Sequence, residues 1–176
     1  MKVLILNGSP RKNGNTRTLL TALAEEAEKK HQVELVDLQG QKIAPCLGCD
    51  ACRKNGGTCV QKDDAPALLQ KVLDADCILF GSPVYWWGIS AQLKLAIDRL
   101  YAGGAAIKGK KIGVVAVGAD GLDTPQYRLI REQFACIGEY LDWEVLFSEG
   151  VSAYAPGEVA KDAALMERFR ALGRNL

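Results

Sequence analysis

Val3-Leu4-Ile5-Leu6-Asn7-Gly8-Ser9-Pro10-Arg11-Lys12-Asn13-Gly14-Asn15-Thr16 is the stretch from which the fold can be read. The apolar run predicts a short buried strand, and beyond the loop Leu19, Leu20, Leu23, Ala24 and Ala27 fall on one side of a helix. Between them Gly8 and Gly14 let the backbone turn, and Ser9, Asn13, Asn15 and Thr16 supply hydroxyl and amide groups. With the free N–H groups and positive dipole end of a helix behind it, such a loop is an anion cradle. A phosphate monoester suits it. A P-loop would carry Lys-Ser or Lys-Thr directly after its second glycine, whereas Gly14 is followed by Asn15-Thr16, which argues against nucleoside triphosphate hydrolysis. A dinucleotide fingerprint would need a third close glycine, although Asp37 at the end of the next strand imitates its ribose-binding acid.

Outward from this loop, apolar strand candidates recur at Val33 to Val36, Cys77 to Phe80, Ile112 to Val117 and Val145 to Phe147. Helical patterns alternate with them over Thr16 to Lys30, Ala65 to Leu73, Ile89 to Tyr101, Pro125 to Tyr140 and Glu158 to Leu172. Strict β/α alternation predicts an α/β doubly wound three-layer sandwich with a five-stranded parallel sheet in order 2-1-3-4-5, all 176 residues forming one domain. Its ligand site lies beyond the strand C-termini, between the first and third strands. The third strand runs into Gly81-Ser82-Pro83-Val84-Tyr85-Trp86-Trp87-Gly88, which this topology sets beside the cradle. Adjacent large aromatics on a loop mark a binding surface for a flat ring, or else pack on a helix or a dimer contact. The fourth strand adds Val117-Gly118-Ala119-Asp120-Gly121 at the same edge. A phosphate cradle, an aromatic wall and a glycine-bearing side loop together describe a site for flavin mononucleotide (FMN).

Twenty-two basic and twenty-one acidic residues leave a charge of +1, no footprint for nucleic acid or an anionic membrane. Small molecules or another protein are the expected partners. The apolar run after Met1-Lys2 is too short for a signal peptide and no later stretch reaches membrane-spanning length, which points to a soluble cytoplasmic protein. Six cysteines in such a chain suggest reduced thiols or metal ligation rather than disulfides. Four of them, Cys46, Cys49, Cys52 and Cys59, fall in a cysteine-rich loop at 41–63 with the spacing C-x2-C-x2-C-x6-C, and Gly56-Gly57 offers the turn that returns the last. Four thiolates are what an iron–sulfur cluster takes; zinc, a redox dithiol at Cys49 and Cys52, and free thiols are the alternatives. Cys77 and Cys136 read as inert core residues and His31 as a solvated residue; Asp98-Arg99 reads either as a pair that orients a neighbouring loop or, as adjacent opposite charges on an exposed face usually are, as simply solvated. With His31 the only histidine and so placed, no histidine-dependent triad is expected.

GSPRKNGNT after the first strand, the four-cysteine spacing followed by Asp63-Asp64, and SPVYWWGISAQLKLAIDR together resemble the NADPH-dependent FMN reductase superfamily, in its iron–sulfur flavoprotein branch. The resemblance covers residues 1 to 121 and implies a flavodoxin-like fold, noncovalent FMN, and a homodimer or homotetramer. By position it assigns Ser9, Arg11, Asn13, Asn15 and Thr16 to the FMN phosphate. Pro83, Val84, Tyr85, Trp86 and Trp87 would border the isoalloxazine, with Gly118 in the third loop beside it. Cys46, Cys49, Cys52 and Cys59 would carry a 4Fe-4S cluster. Trp86-Trp87 are bulkier, and the third loop less glycine-rich, than is usual in that branch. The function so implied is an FMN-dependent oxidoreductase that takes electrons from NAD(P)H or exchanges them with a ferredoxin-like protein and passes them to an acceptor. The competing classes are a non-enzymatic flavodoxin-like electron carrier, against which the neutral charge argues, and a zinc-stabilised binding protein.

Overall fold

A computed structural model describes residues 1–176. In chain order the elements are β1 (Lys2–Asn7), α1 (Asn15–Ala27), β2 (Gln32–Asp37), α2 (Ala51–Lys54), α3 (Ala65–Asp74), β3 (Cys77–Tyr85), β4 (Gly88–Ile89), α4 (Ala91–Arg99), β5 (Lys111–Gly118), α5 (Pro125–Leu141), β6 (Glu144–Ser152) and α6 (Ala163–Arg174). The main sheet runs β2-β1-β3-β5-β6, every neighbour parallel, and the two-residue β4 pairs antiparallel with the end of β3. Leaving β4 aside, this is the expected 2-1-3-4-5 order of a doubly wound sheet.

Period-2 alternation splits the strand residues between two cores. Leu4, Leu6, Ile78, Phe80, Ile112, Val114 and Ala116 point to one face, beneath α3, α4 and α5. Val3, Ile5, Cys77, Leu79, Val115 and Val117 point to the other, where Leu19, Leu20 and Leu23 of α1 and Phe169 of α6 close over them. Burial on both faces explains why β1, β3 and β5 read as continuous apolar runs rather than as polar–apolar stripes.

Three boundaries differ from the sequence reading for identifiable reasons. β3 continues through Pro83 to Tyr85 because β5 accompanies it as far as Pro83 while β1 leaves it at Gly81, so the proline that lacks an N–H meets no partner there that needs one. α4 begins two residues late because Gly88-Ile89 are held in the hairpin and Ser90 caps the helix, its Oγ accepting the N–H of Leu93 at 3.3 Å. Likewise Asp162 caps α6 through the N–H of Leu165 at 2.9 Å, so residues 159–161 form a 3-10 turn outside the helix. Cys77 is buried as expected, but Cys136 is exposed. It lies two residues beyond the buried Phe134, about 200° around the helix and on the opposite face. His31 is half-buried rather than solvated, with its Nε2 shielded and without a partner. No helix is long and apolar enough to cross a membrane.

Candidate functional site

The loop after β1 is built from its glycines and Asn7. Gly8 donates its N–H to Gly81 O at 2.7 Å and its carbonyl accepts Ser90 Oγ at 2.7 Å, which ties the first loop to the second. A Cβ on Gly8 would stand 2.8 Å from Leu93 Cβ and Ser90 Oγ, so only glycine permits this approach. Fully buried Asn7 accepts the Ser9 N–H at 3.1 Å and donates to Asp37 at 2.8 Å, and Arg17 Nε grips the same carboxylate at 3.0 Å. Asp37 is thus occupied in bracing the cradle, which removes the dinucleotide reading of that residue. Ser9, Asn15 and Thr16 are buried in the floor, whereas Arg11 and Asn13 stand exposed at the rim. Asn15 donates its Nδ2 to Ala155 O at 2.9 Å, so the loop that follows β6 braces the cradle. Gly14 is the N-cap of α1 and offers no side-chain cap. The first helical bond runs from Thr18 N to Gly14 O at 3.0 Å, leaving the amide N–H groups of Asn15, Thr16 and Arg17 for an anion.

At the end of β3 the chain reverses in a two-residue hairpin, Tyr85 pairing with Gly88 around Trp86 and Trp87. Both tryptophans have positive φ, 49° and 59°, as the two centre residues of a type I′ turn require. Asn-Gly is the usual occupant of that turn, and a bulky side chain in the left-handed region is strained by about 1–3 kcal/mol. Trp86 is 92% exposed and Trp87 53%, with ring centroids 6.3 Å apart. Neither packs into the core. Two large aromatics held at a strained turn and turned out toward solvent are placed to meet something outside the chain.

The third loop closes against the second. A Cβ at Gly118 would lie 3.2 Å from Val84 Cγ2 and 2.9 Å from the Tyr127 hydroxyl. Tyr127 in turn donates toward Asp120 O at 2.9 Å and Val151 O at 3.2 Å, fixing the loop to β6. Two buried side-chain atoms at this edge, Asn15 Oδ1 and Gln126 Nε2, have no hydrogen-bond partner, a deficit that a polar ligand between the loops would make good. The donors, the open helix end and the aromatic turn fit FMN.

Residues 1–137 match the family of NADPH-dependent FMN reductases. The chain belongs to that family. It is 35% identical to an iron–sulfur flavoprotein of Methanocaldococcus jannaschii over 186 aligned residues, covering all of this chain and 95% of the relative. An iron–sulfur flavoprotein of Archaeoglobus fulgidus is 45% identical over 100 residues, 56% of this chain and 48% of that one. Among solved structures the NAD(P)H:quinone oxidoreductase of Methanothermobacter marburgensis superposes with a TM-score of 0.76 at 22% identity, over 99% of this chain and 95% of the other. The FMN-dependent NADH-azoreductase of Bacillus anthracis, solved in complex with FMN, gives 0.70 at 14% identity, over 99% of both chains. These two likenesses establish the flavodoxin-like fold.

In this member of the FMN reductase family, the cysteine loop leaves the C-terminal end of β2 and descends along α4. Asp64 accepts the Lys42 N–H at 2.7 Å and Asp63 the Ala44 N–H at 2.9 Å, so the two ends of the loop are stapled together. Tyr101 donates to Asp50 at 2.8 Å while Arg53 stacks 4.4 Å above the Tyr101 ring, which anchors the short helix α2. All four thiols line one cleft of about 700 Å³, whose far wall includes Ile97, Tyr101, Ile137 and Tyr140. Four thiols on one cleft suit an iron–sulfur cluster in kind and number, yet no three metal-ligating side chains converge on a single point. The cleft lies toward the far end of α4 from Ser90, about 13 Å away at 1.5 Å per residue.

Arg99 takes the less expected of its two sequence readings, the one in which it orients a neighbouring loop. It is buried rather than solvated, its side chain only 2% exposed, and it forks onto Asp63, while Asp98 pairs with Lys94. Adjacent charges on a helix point about 100° apart, and only tertiary packing decides which of them turns inward. The six thiols consequently differ. A backbone N–H from Gln61, and then Arg99, hold Cys59 below the ordinary thiol range, while burial pushes Cys77 up to about 12. Iodoacetamide at neutral pH is expected to modify Cys46, Cys49, Cys59 and Cys136 of the folded, metal-free protein and to spare Cys77. Peptide mass spectrometry reads the pattern, and rapid labelling of Cys77 before unfolding would contradict the structure.

Proposed function

We propose that the chain is an FMN-dependent oxidoreductase that takes electrons from NAD(P)H or a ferredoxin-like donor and delivers them to a further acceptor, through a 4Fe-4S cluster where one is bound. The observation that carries this reading is the conjunction, on one sheet edge, of the uncapped start of α1 with the strained, outward Trp86-Trp87 turn. FMN, when bound, supplies the hydride and electron transfer, which explains a site with no acid–base dyad.

Every other task falls to the chain. Ser9, Asn15 and Thr16, with the free N–H groups of α1, would hold the phosphate, and Arg11 and Asn13 would close over it from the rim. Pro83, Val84 and Tyr85 would border one side of the ring, Trp86 and Trp87 would shield it from water, and Gly118 would allow the third loop to approach it closely. Ser90, bonded to Gly8, keeps the phosphate loop and the ring loop in fixed relation.

Cys46, Cys49, Cys52 and Cys59 are the proposed ligands of a 4Fe-4S cluster, supported by their spacing, their common cleft and the names of the iron–sulfur flavoprotein relatives. The exposed tryptophans also support a homodimer or homotetramer in which a second copy covers the flavin edge. Anaerobic purification followed by assay of flavin, iron and acid-labile sulfide tests both cofactors at once. About one FMN and four each of iron and sulfide per chain are expected, with NAD(P)H oxidation in the presence of a diffusible acceptor. Protein that binds no FMN would overturn the reading, and protein with FMN but no iron would remove the cluster alone.

A further inference from the structure

Beneath the cysteine loop lies a buried cation that the flavin chemistry leaves unused. Arg99 lies at the end of α4 beneath the loop, where Nη1 donates to Ala44 O at 2.8 Å and to Asp63 Oδ2 at 2.5 Å. Nη2 donates to Asp63 Oδ1 at 3.0 Å and to Cys59 Sγ at 3.3 Å. The Asp63 carboxylate, its side chain 12% exposed, also accepts the N–H groups of Ala44 and Ala65 at 2.9 and 3.1 Å. Each of its oxygens therefore already has two donors, and the donor left over on Nη2 goes to sulfur. Of the four loop cysteines, Cys59 alone receives a side-chain hydrogen bond. It is also the one separated from the others by six residues rather than two, and so the one least fixed by the sequence.

We propose that Arg99 is a positioning residue of the cysteine centre, which seats Cys59 as its fourth ligand and, through the N–H···S bond and its buried charge, favours the reduced cluster. This rests on the cluster reading above. A cluster with four thiolate ligands gains negative charge on reduction. A fixed cation and an N–H donor at one sulfur stabilise the more negative state, whereas the carboxylate beside them opposes it. Arg99 and Asp63 therefore act with opposite sign on the reduction potential while acting together on the loop. A planar guanidinium can serve a carboxylate and a sulfur simultaneously; an ammonium at this position keeps the charge but lacks the fork.

The test uses full-length protein loaded anaerobically with iron and sulfide, in wild-type, Arg99→Lys, Arg99→Gln and Asp63→Asn forms. The readout is the cluster midpoint potential, followed optically against mediators, beside iron content and circular dichroism. Arg99→Gln is expected to make the reduction equilibrium about tenfold less favourable, about 59 mV for one electron, with Arg99→Lys in the same direction but smaller. Asp63→Asn is expected to shift the equilibrium the other way. A residue that merely anchors the loop would move both positions in one direction, through a common change in solvent access, and that result overturns the proposal. So does a loaded Arg99→Gln protein with the wild-type potential. If neither Arg99 variant retains the cluster, Asp63→Asn decides, a potential at or below wild type counting against the assignment. Wild-type protein that folds and binds FMN yet takes up no iron and sulfide would instead remove the cluster reading itself.

Discussion

Ser90→Ala is expected to destabilise the folded chain by about 3 kcal/mol, a fall in Tm of about 6–12 °C for a domain of this size. Two losses add. The hydroxyl is fully buried and caps α4 by accepting the Leu93 N–H at 3.3 Å, and such a cap is worth about 1 kcal/mol. It also donates to Gly8 O at 2.7 Å, and its removal leaves that carbonyl without this donor, at about 1–3 kcal/mol. The Ser90 backbone N–H keeps its own bond to Ser82 Oγ at 2.8 Å, so β4 and the hairpin should stay in place. The damage therefore concentrates on the junction between the two loops proposed to hold phosphate and ring, and FMN affinity should fall by about tenfold or more as well. Urea unfolding of the apoprotein and fluorescence titration with FMN measure the two effects. A stability loss below about 1 kcal/mol would mean that the Gly8 carbonyl finds water in place of the hydroxyl, and that the junction is looser than its distances indicate.

The second large effect has the opposite sign on stability. Trp86→Asn combined with Trp87→Gly places the favoured residues of a two-residue hairpin where φ is 49° and 59°. Relief of the strain should stabilise the apoprotein by about 1–3 kcal/mol, and the exposed rings give up little packing within the chain. The same change removes the aromatic wall, so the dissociation constant of FMN is expected to rise at least tenfold, about 1.4 kcal/mol. A more stable protein that binds its ligand less well is the signature of strain kept for function. Unchanged FMN affinity with a shift to a smaller species on size exclusion would reassign the tryptophans to a subunit contact. Unchanged affinity and unchanged size would falsify the binding role of the turn altogether.

Much of this was legible in the residues. Apolar strand runs alternating with amphipathic helices are sufficient for a doubly wound sheet, because short right-handed crossovers leave few other arrangements. That sheet alone puts the loops after Leu6, Phe80 and Val117 at one edge. The capping role of Ser90 is absent from the sequence reading, which starts the helical pattern at Ile89, although serine directly before an apolar-periodic run is a local helix-start signal. The exposure of Cys136 was not legible, and for Arg99 the sequence left two readings, solvated or orienting a loop, without deciding between them. Both lie on helices whose periodicity was seen, but burial at a given angle depends on what covers that face: nothing lies over Cys136, whereas the cysteine loop lies over Arg99.

The sequence by itself determined the sheet order, the family and the residue types of the cradle, the aromatic turn and the four-thiol spacing, because these depend on periodicity and short-range geometry. Only the tertiary structure decided that Trp86 and Trp87 occupy the left-handed region, that Asp37 is committed to Asn7 and Arg17, and that Arg99 reaches across to Asp63 and Cys59. The two side-chain clusters join segments far apart in the chain, and the turn angles follow from the pairing of β4 back onto the end of β3. Local propensity contains no term for partners that folding alone brings together.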